Sequence, residues 1–307
     1  MNVLTIDIGG TAIKYAVMDE HCNQKKKSSI PTPQDSFENL IECLVAIYEE
    51  CCSEVEGISI SMPGFIDSEN GYAYTGGWLT YNNEKPIAKI LSERCNVNVY
   101  IENDGKCAIL SEMWKGSLVQ YQNAIVMLFG TGLGGGIMID RKLYKGRHFS
   151  AGEFSYINMD TKQFGNDERM TGAACSVTGL IAMAQQRTGL HDLDGKKIFE
   201  MIHSGNQELI EVLDQFTMDI AAMIFNLNVI LDIDCVALGG GISQQEILLE
   251  YVRKNVEKYF RNEMIMKCNP SIPIPEIVTC KFFNDSNLVG ALYHYLLREN
   301  MLSCESC

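Results

Sequence analysis

Val3-Leu4-Thr5-Ile6-Asp7-Ile8-Gly9-Gly10-Thr11, running on into Ala12-Ile13-Lys14-Tyr15-Ala16-Val17-Met18, is the stretch that decides the fold. Residues 3–8 read as a strand, and a second strand is predicted from about Ile13 to Met18. A Gly-Gly-Thr corner between two strands makes a β-hairpin whose tip, Gly9-Gly10-Thr11, exposes backbone N–H groups as an anion nest. Asp7 stands just before that tip, where a carboxylate can hold a hydrated Mg²⁺. Lys14 can reach back toward the same phosphates. A plain hairpin with a Gly-Gly corner is the other reading of these residues.

The pattern recurs further along. Asn123 to Phe129 is a strongly apolar strand, Gly130-Thr131-Gly132-Leu133-Gly134-Gly135-Gly136 follows, and a strand is predicted over Ile137–Asp140. Two related halves, each with one phosphate-binding hairpin, are the natural inference. The strand-helix alternation of the remainder places the chain in the α/β class. The glycine run is not a Walker A loop, which needs Gly-Lys-Ser/Thr, and not a Rossmann fingerprint, because a strand follows it. A third glycine turn, Gly239-Gly240-Gly241, lies between a short strand (Val236 to Leu238) and a helix and admits close approach of a flat ring or ribose.

Val99-Tyr100-Ile101-Glu102-Asn103-Asp104-Gly105 supplies the chemistry the glycine turns lack. A buried strand ends in a polar corner, and a helical pattern follows (Cys107, Ala108, Leu110, Ser111, Met113, Trp114). Asp104 then stands at the mouth of a helix as a proton acceptor. The same Asn-Asp pair also suits a helix N-cap. Gly57 to Met62 is a further strand closing at Pro63-Gly64, where the backbone can come close to a ligand. The turn-rich segment Gly71 to Asn83 holds Gly76-Gly77-Trp78, which can form a wall against a ligand face. Helices are predicted over 36–53, 87–95, 173–189, 194–203, most of 206–232 and 287–298, with a last strand from Ile277 to Phe282. Lys25-Lys26-Lys27 reads as a solvated loop between strands.

The 307 residues carry a formal net charge of -14, with 46% hydrophobic and 21% charged residues, ordinary for a soluble chain. An acidic chain without a basic block excludes nucleic acid as the expected partner, since Lys and Arg supply most of that affinity. No stretch is apolar for the roughly 20 residues of a transmembrane helix. Met1-Asn2 leads straight into a strand with no leader pattern, so a cytoplasmic protein that binds no membrane is expected. The 12 cysteines are scattered and read as small core residues and reduced thiols. Cys304 and Cys307 form a C-x-x-C that lacks the partner pair or setting of a redox or metal site.

In order along the chain, Asp7-Ile8-Gly9-Gly10-Thr11 with Lys14, Pro63-Gly64, Glu102-Asn103-Asp104, Gly130 to Ile137, Ala151-Gly152-Glu153-Phe154 and Gly239 to Ile242 resemble the ROK family of sugar kinases over almost the whole sequence. The resemblance implies an actin-like, ribonuclease-H-like ATPase fold of two lobes with an interlobe cleft. The expected division is residues 1–117 as a small lobe completed by the C-terminal helix 287–307, and residues 118–286 as a larger one. It implies ATP and Mg²⁺, transfer of the γ-phosphoryl group to a sugar hydroxyl, usually the 6-OH, and a homodimer. Carried over, Asp104 is the base. Gly64, Asn103 and Glu153 contact the sugar, Asp7 lies by the metal, and Gly10, Thr11, Lys14, Thr131 and Gly132 lie by the phosphates with Gly9. Gly240 lies near the nucleoside, with Gly241 beside it.

Two departures bear on substrate. Many members carry Gly-Glu-x-Gly-His and then a cysteine cluster that binds structural zinc and ends in a Glu. Here Tyr156 replaces the His, the span Phe164 to Cys175 holds one cysteine, and Gly172 aligns with the Glu. Structural zinc is therefore not expected. Both changes resemble the zinc-less β-glucoside kinases, which act on the 6-OH of the non-reducing glucose, with Tyr156 either a stacking surface or a core-packing loop residue. N-acetylmannosamine kinase and glucokinase are the alternatives. A sugar-responsive repressor would need a helix-turn-helix domain ahead of Asp7, and a non-catalytic sugar-binding relic would be expected to lack Asp104.

Overall fold

The structure is a computed structural model that describes residues 1–159 and 170–301. Strand β1 (Asn2–Ile8) and strand β2 (Ala12–Asp19) form the first hairpin, and β3 (Gln24–Pro31) continues it. Helix α1 (Phe37–Glu49) follows, capped by the Ser36 side chain, which accepts from the Asn39 N–H. Then come β4 (Gly57–Met62), the short β5 (Ile66–Asp67) and β6 (Tyr72–Ala73), α2 (Ile87–Cys95), β7 (Asn98–Asn103) and α3 (Asp104–Lys115). The second half has β8 (Ala124–Phe129), β9 (Leu133–Ile139), β10 (Lys142–Tyr144), α4 (Thr171–Ala174), α5 (Val177–Thr188), α6 (Gly195–His203) and the long α7 (Gln207–Leu231). It ends with β11 (Cys235–Gly240), α8 (Glu246–Phe260), α9 (Glu263–Cys268) and β12 (Glu276–Thr279), and α10 (Ser286–Arg298) follows.

The chain divides into two compact units: residues 1–116, 143–151 and 284–307, and residues 117–142 and 152–283. The first contains a five-stranded sheet ordered β3-β2-β1-β4-β7. β1 and β2 are antiparallel, paired Asp7 to Lys14 and Ile8 to Ile13 around the tip, while β4 and β7 run parallel to β1. One face carries α1 and α2 over Leu4, Ile6, Ile58, Ile60 and Ile101, all buried. The C-terminal helix α10 packs on α3 and on β1 and β4. Gly290 sits against the Cys107 carbonyl, and Trp114 stacks on Tyr293 with ring centres 5.0 Å apart. A second five-stranded sheet repeats the order as β10-β9-β8-β11-β12, with β9, β8, β11 and β12 in the second unit. β8 and β9 form its hairpin, and β11 and β12 run parallel to β8. Phe129 and Phe216 join this sheet to α7.

Three elements differ from the sequence reading. Lys25, Lys26 and Lys27 lie in β3, not in a loop. β3 is the edge of its sheet, where exposed lysines are favoured because charge there discourages pairing with other chains. Lys26 pairs with Glu54 (2.5 Å) and Lys27 with Asp285 (2.6 Å). Strand β9 begins at Leu133 rather than Ile137, so Gly134, Gly135 and Gly136 are strand residues and the turn is only Gly130 to Gly132. Gly239 and Gly240 likewise close β11. Among the described residues no helix is long and apolar enough to cross a membrane. Cys304, Cys307 and residues 164–169 of the segment read for a zinc cluster lie outside the described residues.

Candidate active site

In the first unit the chemistry gathers at the ends of β1, β4 and β7. β7 stops at Asn103, whose Oδ1 accepts the Lys106 N–H (3.1 Å) and caps α3. Asn103 is therefore the cap, and Asp104 is the first helical residue. Its Oδ1 accepts the Gly105 N–H (2.8 Å), and its side chain is half-buried where the helix dipole favours negative charge. Asn103 also donates from Nδ2 to the Gly64 carbonyl (3.0 Å), which ties β7 to the turn after β4. Gly64 has φ +108°, and a Cβ there would overlap the Thr75 carbonyl, so only glycine fits this approach.

Behind the corner, Glu102 is fully buried and accepts the Asn103 N–H (2.8 Å). Burial pushes its carboxyl above the usual range; Lys145, the Asn103 N–H, Lys106 and Ser68 oppose that shift. Lys145 donates to Ser68 Oγ (2.9 Å), and Arg298 donates to the Ser68 carbonyl (2.9 Å). His294, on α10, is buried with its pKa pushed down to about 3, by desolvation first and then by Lys145 and Arg298.

Asp7 is buried at the end of β1. Ser61 Oγ (3.0 Å) and Asn287 Nδ2 (2.9 Å) both donate to its Oδ1. Desolvation raises its pKa, opposed by Asn287, by the Lys14 charge across the hairpin and by Ser61. A buried carboxylate short of positive charge fits a divalent cation that keeps its waters. The hairpin tip is held from behind. Thr32 Oγ1 donates to the Gly9 carbonyl (2.7 Å), Gln34 Nε2 to the Gly10 carbonyl (2.8 Å) and Thr32 N–H to the Thr11 carbonyl (3.1 Å). Gly10 and Thr11 are exposed, and a Cβ on Gly10 would meet nothing within 4 Å. The Gly9 N–H donates to the Ala12 carbonyl (3.0 Å), so the turn has the amides of Gly10 and Thr11 for an anion.

The second unit builds a comparable corner. The Gly130 N–H donates to the Gly132 carbonyl (3.1 Å), and the Val177 N–H donates to the Gly130 carbonyl (3.0 Å). Thr131 is exposed at the tip. Ser155 locks the next residue, accepting the Leu133 N–H (2.9 Å) and donating to its carbonyl (3.1 Å). Glu153 precedes a single 3₁₀ turn, Phe154–Tyr156, and buried Phe154 packs its ring on Gly135. That packing is why the run continues as glycine inside β9. Tyr156 is 65% exposed, so it does not pack on the core. Gly240 has φ +91° and lies against the Phe129 backbone, whereas Gly241 opens onto free space. Among the described residues no three His, Cys, Asp or Glu side chains converge on a metal.

Thus Asp7, Gly9, Gly10, Thr11, Lys14, Gly64, Asn103 and Asp104 belong to the first unit, and Thr131, Gly132, Glu153, Tyr156, Gly240 and Gly241 to the second. Sequence reading missed Thr32, Gln34, Ser61, Asn287, Ser68 and Lys145. Each acts on a segment far along the chain, as in Thr32 to Gly9 or Asn287 to Asp7, beyond any local pattern.

Known proteins place this frame. A beta-glucoside kinase from Klebsiella pneumoniae is 28% identical over 302 residues, covering 96% of each chain. An N-acetyl-D-glucosamine kinase from Vibrio atlanticus is 27% identical, over 94% of this chain and 97% of that one. The crystal structure of a ROK family protein from Streptococcus pneumoniae TIGR4 in complex with sucrose superposes with a TM-score of 0.87 at 29% identity, over 98% of this chain and 100% of that one. The fold is the actin-like ATPase fold. The ROK family model matches residues 3–297, and the chain belongs to that family.

Proposed function

We propose that this carbohydrate kinase transfers the γ-phosphoryl group of ATP to the 6-OH of a β-glucoside, with Asp104 as the base. The observation that carries the reading is the division of labour at the end of β7. Asn103 takes the Lys106 N–H and grips Gly64, while the Gly105 N–H on Oδ1 fixes the Asp104 carboxylate beside this hydrogen-bonding corner. Phosphoryl transfer needs mostly positioning and charge neutralisation, with one group to orient the nucleophile. Asp104 takes the proton of the attacking hydroxyl, while Asn103, Gly64 and Glu153 hold the sugar's other hydroxyls.

The amide edges of Gly10 and Thr11 and of Thr131 and Gly132 take the phosphates, with Gly9 closing the turn through its N–H to the Ala12 carbonyl; Lys14 adds charge, and Gly240 and Gly241 lie by the nucleoside. Asp7 would hold Mg²⁺ through water, and the ion would supply neutralisation of the phosphate oxygens. No structural zinc enters the proposal. We place the protein in the cytoplasm, where ATP is, as a homodimer of two-lobed chains that divide at residues 117/118, with residues 143–151 and the C-terminal helix completing the first lobe.

A β-glucoside is favoured over a bare hexose by the second unit. A Cβ on Gly172 would stand 2.7 Å from Ser155 Oγ and 3.1 Å from the Ser155 carbonyl, so the carboxylate of zinc-bearing members has no room at this position. Exposed Tyr156 stands where those members carry His and is proposed to contact the sugar. The Streptococcus pneumoniae relative is in complex with sucrose, an α-glucosyl disaccharide, which supports a site for two rings but not the β linkage. N-acetylglucosamine, N-acetylmannosamine and glucose are the competing acceptors, the first favoured by the Vibrio relative's name.

A coupled ADP-release assay with MgATP against cellobiose, gentiobiose, glucose, N-acetylglucosamine and N-acetylmannosamine tests the reading. The highest kcat/KM on a disaccharide is expected. Turnover confined to one monosaccharide would move the substrate, and no sugar-dependent ADP with any of the five would overturn the kinase assignment in favour of a sugar-binding regulator.

A further inference from the structure

We infer that Trp78 is the platform for the second sugar ring of a disaccharide β-glucoside, an inference that rests on the kinase reading above. Trp78 is 86% exposed, the most exposed large apolar side chain among the described residues. The other tryptophan, Trp114, stacks on Tyr293. An indole left in water on a well-tied loop calls for a partner.

The loop is tied on both sides of it. The Gly76 N–H donates to Asn83 Oδ1 (2.8 Å), the Leu79 N–H to the Gly76 carbonyl (3.1 Å), and the Phe65 N–H to Thr75 Oγ1 (3.0 Å). Leu79 and Asn82 are buried. The tip carrying Gly77 and Trp78 is exposed, as is Tyr74 in the same loop.

Position supplies the occupant. A Cβ on Gly77, the residue before Trp78, would lie 3.0 Å from Pro63 Cβ and 3.7 Å from the Gly64 N. Gly64 is the residue whose carbonyl Asn103 grips, and Asn103 adjoins Asp104. Trp78 therefore belongs to the loop that abuts the sugar corner, within the same unit. A β-glucoside whose first ring sits at Asn103 and Asp104 carries its second ring one glycosidic bond away. Pyranose rings with equatorial hydroxyls present a flat C–H face, which packs on an aromatic ring while the hydroxyls stay in water. A monosaccharide has no group to place there.

Trp78 and Trp114 are the only tryptophans, so Trp114→Phe makes Trp78 the sole indole reporter, with Trp114→Tyr as the substitute if packing on Tyr293 is lost. Titration with cellobiose should give a saturable blue shift that glucose does not. In kinetics, Trp78→Ala should raise the cellobiose KM about tenfold, leave kcat and the ATP KM unchanged, and leave kcat/KM for glucose intact. Trp78→Phe should recover most of the loss. An unmoved spectrum with cellobiose, equal losses on both sugars, or a changed oligomeric state in Trp78→Ala would overturn the inference. Absence of turnover on any sugar would instead strike the kinase reading, and the fluorescence titration would still decide Trp78.

Discussion

In the first unit the hairpin β1/β2 feeds the parallel pair β4 and β7. In the second, β8/β9 feeds β11 and β12 in the same order. Counting back from each tip, the last pairs are Ile8 with Ile13 and Phe129 with Leu133. One step earlier the two hairpins part: Asp7 faces Lys14 in the first, and Leu128 faces Gly134 in the second. The fourth strand of the first frame ends beside buried Asp7 at Ser61 and hands over to Asn103 and Asp104. The equivalent strand of the second ends in glycines. The same frame thus carries a charged corner in one half and a backbone corner in the other. Frame and chemistry are separable: the sheet order presents a turn, and what that turn does depends on two or three side chains behind it.

The contrast breaks most visibly at Asp104. Asp104→Ala should keep the fold and the ATP affinity yet lose roughly 10²–10⁴ in kcat, the usual weight of a positioned base, measured by ADP release beside circular dichroism. Next comes Asp7→Asn. It should cost about 10–100-fold in activity with a weakened Mg²⁺ dependence, as for other groups that orient a bound metal. Its stability should move the other way. Burial raises the Asp7 pKa in the folded state, so the folded chain holds that proton more tightly than the unfolded one. The ionised carboxylate then costs stability that grows as the pH rises from the ordinary carboxylate value toward the folded one. Thermal melts should show Asp7→Asn above the parent at pH 7, with the gap closing in acid. Leu128→Asn, the matching change in the second hairpin, should cost stability and leave the metal dependence alone.

His294 tests the charge load behind the first corner. Its folded pKa is depressed to about 3, so its contribution is whole above the ordinary value of 6.5 and is lost as the pH falls toward about 3. The slope attributable to this one proton is about 1.4 kcal/mol per pH unit at most. His294→Phe should flatten urea-unfolding stability between pH 6.5 and 4. The smallest effect belongs to the second corner: Ser155→Ala should cost about 0.5–1.5 kcal/mol, the net worth of a hydrogen bond, and loosen the Gly130 to Leu133 turn.

Much of this frame is legible in residue order. Apolar runs bounded by Gly-Gly-Thr and Gly-Thr-Gly foretell both hairpins, and an apolar strand ending in Asn-Asp-Gly foretells the mouth of α3. Which of Asn103 and Asp104 caps the helix is not legible, because both side chains suit the position; the grip of Asn103 on Gly64 selects it. Gly134 to Gly136 misleads because glycine is unfavourable inside strands, and only the Phe154 ring packed on Gly135 explains its presence. The lysines of β3 mislead because propensity ignores whether a strand lies at an edge. Thr32, Gln34, Ser61 and Asn287 hold the site's carbonyls and carboxylate from distant segments, and nothing local marks them.

The most direct test of the account is the fate of the γ-phosphoryl group. The protein is incubated with MgATP and cellobiose, and the product is read by ³¹P–¹H correlation NMR, with Asp104→Ala in parallel. The account predicts a phosphate ester on C6 of the non-reducing ring, formed by the parent and nearly absent with the variant. Phosphate released to water without a sugar ester, or the same ester formed at an undiminished rate by Asp104→Ala, would contradict it.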